Sequence, residues 1–107
     1  MKLHLDSTDS KKTIIRLNDQ EFSKENSNPR DQNVFRLLQE SLDEVGAQLK
    51  DIKEISVNAG PGSFTGTRVG VTIANALGFA LGIKVNNQPQ VVPKYGSPPN
   101  ITKRLKD

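Results

Sequence analysis

Cysteine and tryptophan are absent from this chain, and histidine, tyrosine and methionine occur once each. Without cysteine there is no disulfide framework and no thiolate metal site. One histidine, His4, leaves no Ser/His/Asp set with workable spacing, and its place opposite Leu3 and Leu5 in KLHL reads as a sheet-face or surface residue. Aromatic residues make up 5% of the chain and hydrophobic residues 34%, so the core has to be lean, built from Val, Ile, Leu and Ala. A partner protein or a second copy would add to it. Long hydrophobic runs are also missing: Val69 to Val85, the least charged stretch, contains Thr72, Asn75 and Lys84 and is short for a membrane span. MKLHLD at the N-terminus lacks the apolar segment of a secretory signal. The expectation is a cytoplasmic protein.

What is present is 107 residues, the size of one domain. The net charge is +3 and sits at one end: through residue 93, eleven basic residues balance eleven acidic ones, whereas Lys94, Lys103, Arg104 and Lys106 face only Asp107 in the tail. Such a tail can reach RNA phosphates, but a solvated end that keeps the protein soluble is the favoured reading.

Leu3 and Leu5 alternate with Lys2 and His4, the period of a half-buried strand. The turn formers Asp6 to Ser10 and the β-branched TIIRL of residues 13–17 then predict a hairpin, with a short, weak third strand around Glu21 to Lys24. ENSNPRDQN, residues 25–33, is wholly polar, with Asn28 a candidate cap and Pro29 a first helical residue. Apolar positions 34, 35, 37, 38, 42, 45 and 49 predict a helix whose apolar face is wider than one core needs, and Gly46 is a stop signal. Ile55, Val57 and Ala59 alternate as a fourth strand, and Val85 marks a fifth. Residues 88–107, with Pro89, Pro93, Pro98 and Pro99, read as an extended basic tail.

Between the fourth strand and the next helix stands NAGPGSFTGTRVG. A strand, a glycine turn and a helix N-terminus make a generic anion site, for which Gly60, Gly62, Ser63, Thr65 and Arg68 are the candidates. The spacing is neither that of a Walker loop nor a dinucleotide fingerprint. The packing reading gives Gly60 and Gly62 special backbone angles, Ser63 or Thr65 the helix cap and Phe64 a buried place at the turn. Beyond it Gly66, Gly70, Ala74, Gly78 and Gly82 recur every fourth residue. Each glycine costs a helix roughly 1 kcal/mol relative to alanine, so close packing has to compensate, against the sheet at one end of the row and a neighbouring helix at the other.

GPGSFTGTRVGVTIANALGFALGI resembles the signature of the TsaB family, LHLDSTDSKKTIIRL fits that family's opening hairpin, and DQNVFRLLQESLDEVG fits its first helix. PKYGSPPNITKRLKD, from Pro93, is similar to the family's C-terminal tail. Typical members are about twice as long, with a second subdomain between the matched regions, so the expectation is a compact form with an internal deletion.

The resemblance implies an α/β fold: a single ribonuclease-H-like subdomain, half of an actin-like ATPase domain, over residues 1–87. It has a mixed five-stranded sheet and two main helices in the order βββαβαβ, followed by the tail at 88–107. It implies a non-catalytic subunit, without cofactor or metal, that binds TsaD and through it TsaE in making threonylcarbamoyladenosine at position 37 of tRNA, and that forms a homodimer when alone. The interface would use Val34, Phe35, Leu38 and Leu42 of the first helix and Gly66, Gly70, Ala74, Leu77, Gly78 and Leu81 of the second. Asp6 stands where actin-like proteins place a phosphate or metal ligand, although a lone carboxylate there is more often a turn former. The alternatives are a weak nucleotide or RNA binder and a decayed, self-associating paralogue.

Overall fold

The structure, a computed structural model, describes residues 1–27 and 32–93. Strands β1 (Lys2–Asp9), β2 (Lys12–Leu17) and β3 (Gln20–Glu25) are followed by helix α1 (Val34–Glu44), strand β4 (Glu54–Val57) and helix α2 (Phe64–Leu81). The sheet order is β3-β2-β1-β4, with β1, β2 and β3 antiparallel and β4 parallel to β1. The register places Leu3 beside Leu17 and Ile55, and Leu5 beside Ile15 and Val57. Because side chains alternate along a strand, these six fall on one face, and all are buried. Both helices cover that face, and Val34, Leu37, Leu38, Leu42, Val71, Ala74 and Leu77 complete a single core.

Several expectations hold in detail. Ser63 caps α2, its hydroxyl accepting from Gly66 N–H at 3.1 Å. Gly46 ends α1 with φ +69, and the bonds Ala47 N–H to Leu42 O and Gly46 N–H to Asp43 O form a Schellman closure. Others need correction. The turn formers Asp6 to Asp9 lie within β1, and Ser10 and Lys11 make the turn. Asp6 accepts from both the backbone N–H and the hydroxyl of Thr8, while Ser7 is buried and bonded elsewhere, so the polar run is satisfied inside the strand with a bulge between Asp6 and Asp9. The cap of α1 is Asn33, which accepts from Arg36 N–H; Asn28 and Pro29 fall outside the described residues, as does the tail after Pro93.

The sheet has four strands among the described residues, not five. Val85 makes one isolated parallel bridge to Ile55. Asn86 and Asn87 then adopt φ of 53 and 62, and Val85 and Gln88 exchange both backbone hydrogen bonds at 2.9 Å. Two successive left-handed residues form a tight hairpin turn, which reverses the chain before a strand can develop. The segment then returns to α2, where Val91 is buried.

Candidate functional site: the outward side of the second helix

The glycine row is explained by β1. A Cβ on Gly66 would collide with the carbonyl of Ser7, one on Gly70 with the Ser7 hydroxyl, and one on Gly62 would stand 2.5 Å from Thr8 Cβ. Ser7 also donates from its hydroxyl to Gly66 O at 2.6 Å. Further along, Gly78 lies against Ile83 O and Val85. Gly66, Gly70 and Gly78 thus serve the chain's own sheet and the crossover behind it, whereas Gly82 is exposed and ends the helix with φ +71. Only Gly60 has the special angle expected of the loop, with φ +106; Gly62 is required by close approach instead.

The proposed interface residues divide accordingly. Val34, Leu38, Leu42, Ala74 and Leu77 are buried in the core, and Gly66, Gly70 and Gly78 are buried against β1 and the crossover. These eight are removed from a surface role in the folded chain, because a lean core on a short sheet needs them. Leu81 is partly buried, and Phe35 is 39% exposed.

The anion candidates are not gathered either. Gly60 N–H donates to Asn58 Oδ1, Ser63 N–H to Thr8 O and Thr67 N–H to Ser63 O, and Gly66 N–H to the Ser63 hydroxyl. Four loop and helix-start amides thus have partners within the chain. Asp6, beside the loop, accepts from Thr8 and from Asn58 Nδ2 at 3.1 Å. Burial pushes its carboxyl up, but the bonds from Thr8 and Asn58, with a smaller contribution from His4, hold it below the usual carboxylate value. A carboxylate kept ionised here disfavours a second anion. Thr65 and Arg68 are exposed on the other side of α2.

That other side is the unexpected feature. At 100° per residue, Phe64, Thr65, Arg68, Val69, Thr72, Ile73, Ala76, Phe79 and Ala80 share the arc opposite the buried residues 66, 67, 70, 71, 74, 77 and 78. Phe64, expected to be buried, is 44% exposed, and Phe79 is 92% exposed. Phe64, Thr65, Arg68, Val69, Thr72 and Ile73 line a shallow groove in which Arg68 is the single charge. Phe64 and Phe79 therefore point away from the core and Val69 and Ile73 are only partly buried, while Gly66, Gly70, Ala74 and Gly78 face inward together with Val71 and Leu77. A side chain added at these glycines would clash. Sequence reading gave the interface to the glycine row, which is largely buried; the bulky residues interleaved between the glycines are the signal for the outward side.

His4 lies on the sheet face that the helices leave open, its Nδ1 2.7 Å from the Ser56 hydroxyl. Burial, then the Arg16 charge, lowers its pKa, with Asp6 opposing. Among the described residues no three His, Asp or Glu side chains are placed to share a metal ion, and no helix is long and apolar enough to cross a membrane.

The architecture is that of an α/β domain with a mixed sheet and two helices on one face, consistent with the ribonuclease-H-like, actin-like ATPase fold. A family model described as TsaD: tRNA N6-adenosine threonylcarbamoyltransferase matches residues 24–87, more than half of the chain, and the chain belongs to that family. It is 41% identical over 54 residues to the tRNA threonylcarbamoyladenosine biosynthesis protein TsaB of Escherichia coli K12, a match covering 50% of this chain and 22% of that protein. It is 47% identical over 49 residues to the tRNA N6-adenosine threonylcarbamoyltransferase of Ralstonia pickettii 12J, covering 46% of this chain and 14% of that one. Among solved structures it is similar to YeaZ from Pseudomonas aeruginosa, with a TM-score of 0.65, 29% identity, and 78% of this chain covered against 41% of that one. A second Pseudomonas aeruginosa structure, of a protein with similarity to peptidase YEAZ, gives a TM-score of 0.64 at 29% identity, covering 78% of this chain and 40% of that one. The chain spans less than half the length of each of these relatives.

Proposed function

We propose that this chain is a non-catalytic, TsaB-like subunit that docks on TsaD through the outward side of α2, in the cytoplasmic machinery that makes threonylcarbamoyladenosine in tRNA. The observation that carries the reading is the shallow groove on the outward side of α2, lined by Phe64, Val69 and Ile73 with Arg68 as its single charge, on the arc that also exposes Phe79. A contiguous apolar surface of this kind is a mark of protein contact. The TsaB and YeaZ relatives support the subunit role over the transferase role. So does the chemistry available: the lone histidine is tied to Ser56, and the buried polar groups Ser7 and Ser41 spend their hydroxyls on helix carbonyls. Without TsaD, the same side pairs two copies about a two-fold axis, since such a contact reuses one patch.

Light scattering on the chain mixed with TsaD from the same source tests the assignment. A one-to-one complex is the expected result, lost in Thr72→Glu, where a charge enters the groove without disturbing the core. A chain that stays separate from TsaD at every concentration would refute it.

A further inference from the structure

The outward side of α2 carries a cation in the middle of its apolar surface. Helix α2 (Phe64–Leu81) contains one charged residue, Arg68, and no Asp or Glu. At 100° per residue, Arg68 falls inside the outward arc, with Phe64 on one flank and Val69 and Ile73 on the other. A partner that covers the apolar residues therefore covers the cation as well. The groove around it is lined by Phe64, Thr65, Arg68, Val69, Thr72 and Ile73, whose only side-chain oxygens are the hydroxyls of Thr65 and Thr72. Among the described residues the ion pairs are Arg16–Glu21 and Arg36–Glu40. Arg68 thus stands exposed, with no carboxylate from the described residues beside it.

A guanidinium carries its charge into whatever surface covers it, and enclosing it unpaired costs far more than enclosing it with a carboxylate. Charge complementarity therefore divides the possible occupants of the groove. A second copy that reuses the patch about a two-fold axis brings a second Arg68 and no acidic residue from α2, so like charges meet. A partner with a carboxylate at this place gains two parallel charge-assisted hydrogen bonds from the guanidinium fork. We infer that Arg68 selects the occupant: TsaD seats an Asp or Glu side chain against it, whereas a second copy of this chain is disfavoured by the same cation and gives way when TsaD is present. Discrimination of this kind combines an attractive contact to one partner with a repulsive one to the other. The inference rests on the docking reading above for its location.

Two affinities of the full chain test it, each measured for the unmutated protein, Arg68→Gln and Arg68→Lys: calorimetric titration with TsaD, and light scattering of the chain alone across concentration. Arg68 is exposed, so both variants should keep the fold, which circular dichroism checks. Arg68→Gln removes the charge and should weaken TsaD binding at least about thirtyfold, while tightening self-association about tenfold by removing like-charge repulsion. Arg68→Lys keeps the charge without the fork, and should restore part of the TsaD affinity and leave self-association weak. Added salt should loosen the unmutated chain from TsaD and favour its self-association, and both trends should flatten in Arg68→Gln. A TsaD complex of unchanged affinity in Arg68→Gln overturns the inference and leaves the docking reading standing. Equal weakening of both associations makes Arg68 a contact without selectivity and also overturns it, as does self-association that the charge does not affect. An unmutated chain that forms no complex with TsaD at any concentration overturns the docking reading, and the inference with it.

Discussion

The two helices of this domain distribute their side chains in opposite ways. In α1 the apolar Val34, Leu37, Leu38 and Leu42 point to the sheet, and Arg36, Gln39, Glu40, Asp43 and Glu44 point to solvent. In α2 the inward positions are Gly66, Gly70, Ala74 and Gly78 among others, and the outward ones include Phe64, Val69, Ile73 and Phe79. The first helix buries its apolar side within the chain except for the partly exposed Phe35. The second approaches β1 too closely to carry a side chain at Gly66 and Gly70, and besides its buried Val71 and Leu77 it presents Phe64 and Phe79 to the outside. One helix finishes a fold; the other also leaves large apolar side chains exposed.

The contrast can be broken at Gly70. Gly70→Ala drives a methyl into the Ser7 hydroxyl, and the helix propensity gained, roughly 1 kcal/mol, is outweighed by overpacking and by loss of the Ser7 bond to Gly66 O. A net loss of about 2 kcal/mol is expected in chemical denaturation. Ser7→Ala in the same chain should recover part of it, because the remaining Ser7 carbon lies at an ordinary 3.4 Å. Additive losses in the double variant would contradict the clash.

Truncation of large side chains sharpens the same point. Leu38→Ala on α1 removes a fully buried side chain and should cost on the order of 2–5 kcal/mol. Phe79→Ala on α2 should change stability by no more than about 0.5 kcal/mol and should instead weaken TsaD binding, the opposite of what residue size alone suggests.

The smallest expected effect lies away from both helices, on the open sheet face. Burial and Arg16 depress the pKa of His4 in the folded chain below its ordinary value of 6.5, so the folded state favours neutral imidazole more than the unfolded state does. Its contribution to stability is therefore complete above pH 6.5 and is lost as pH falls through the folded pKa. Asp6, also depressed, behaves likewise in a lower window, below its ordinary 3.8. His4→Gln should flatten the decline in stability just below pH 6.5 and leave the Asp6 decline in place, a comparison made by denaturant titration across pH.

Much of the fold is legible in the residues. Alternation at Leu3, Leu5, Ile55 and Val57 locates the buried sheet face, and Ser63 and Gly46 mark helix ends because capping is local chemistry. What escapes sequence reading depends on contacts across the chain. The four-residue glycine period signals close approach but does not name the surface approached, which is Ser7 on β1. Phe64 looks like a core residue until the helix rotation is known, and that rotation is set by the glycines. The fifth strand is replaced by a turn whose signal, Asn86-Asn87, was present as two residues tolerant of left-handed angles, yet the pull of Val85 toward β4 obscured it. The paired hydrogen bonds between the Asn75 amide and the Val91 backbone join positions 16 residues apart and have no local signature.

The most direct test of the account is a backbone-amide NMR titration of the labelled chain with unlabelled TsaD. The account predicts that Val69, Thr72, Ile73 and Ala76 on the outward side of α2 shift or broaden first and most, while Gln39, Asp43 and Glu44 on α1 stay in place. Perturbation centred on the charged side of α1, with the outward side of α2 unchanged at saturation, would contradict it.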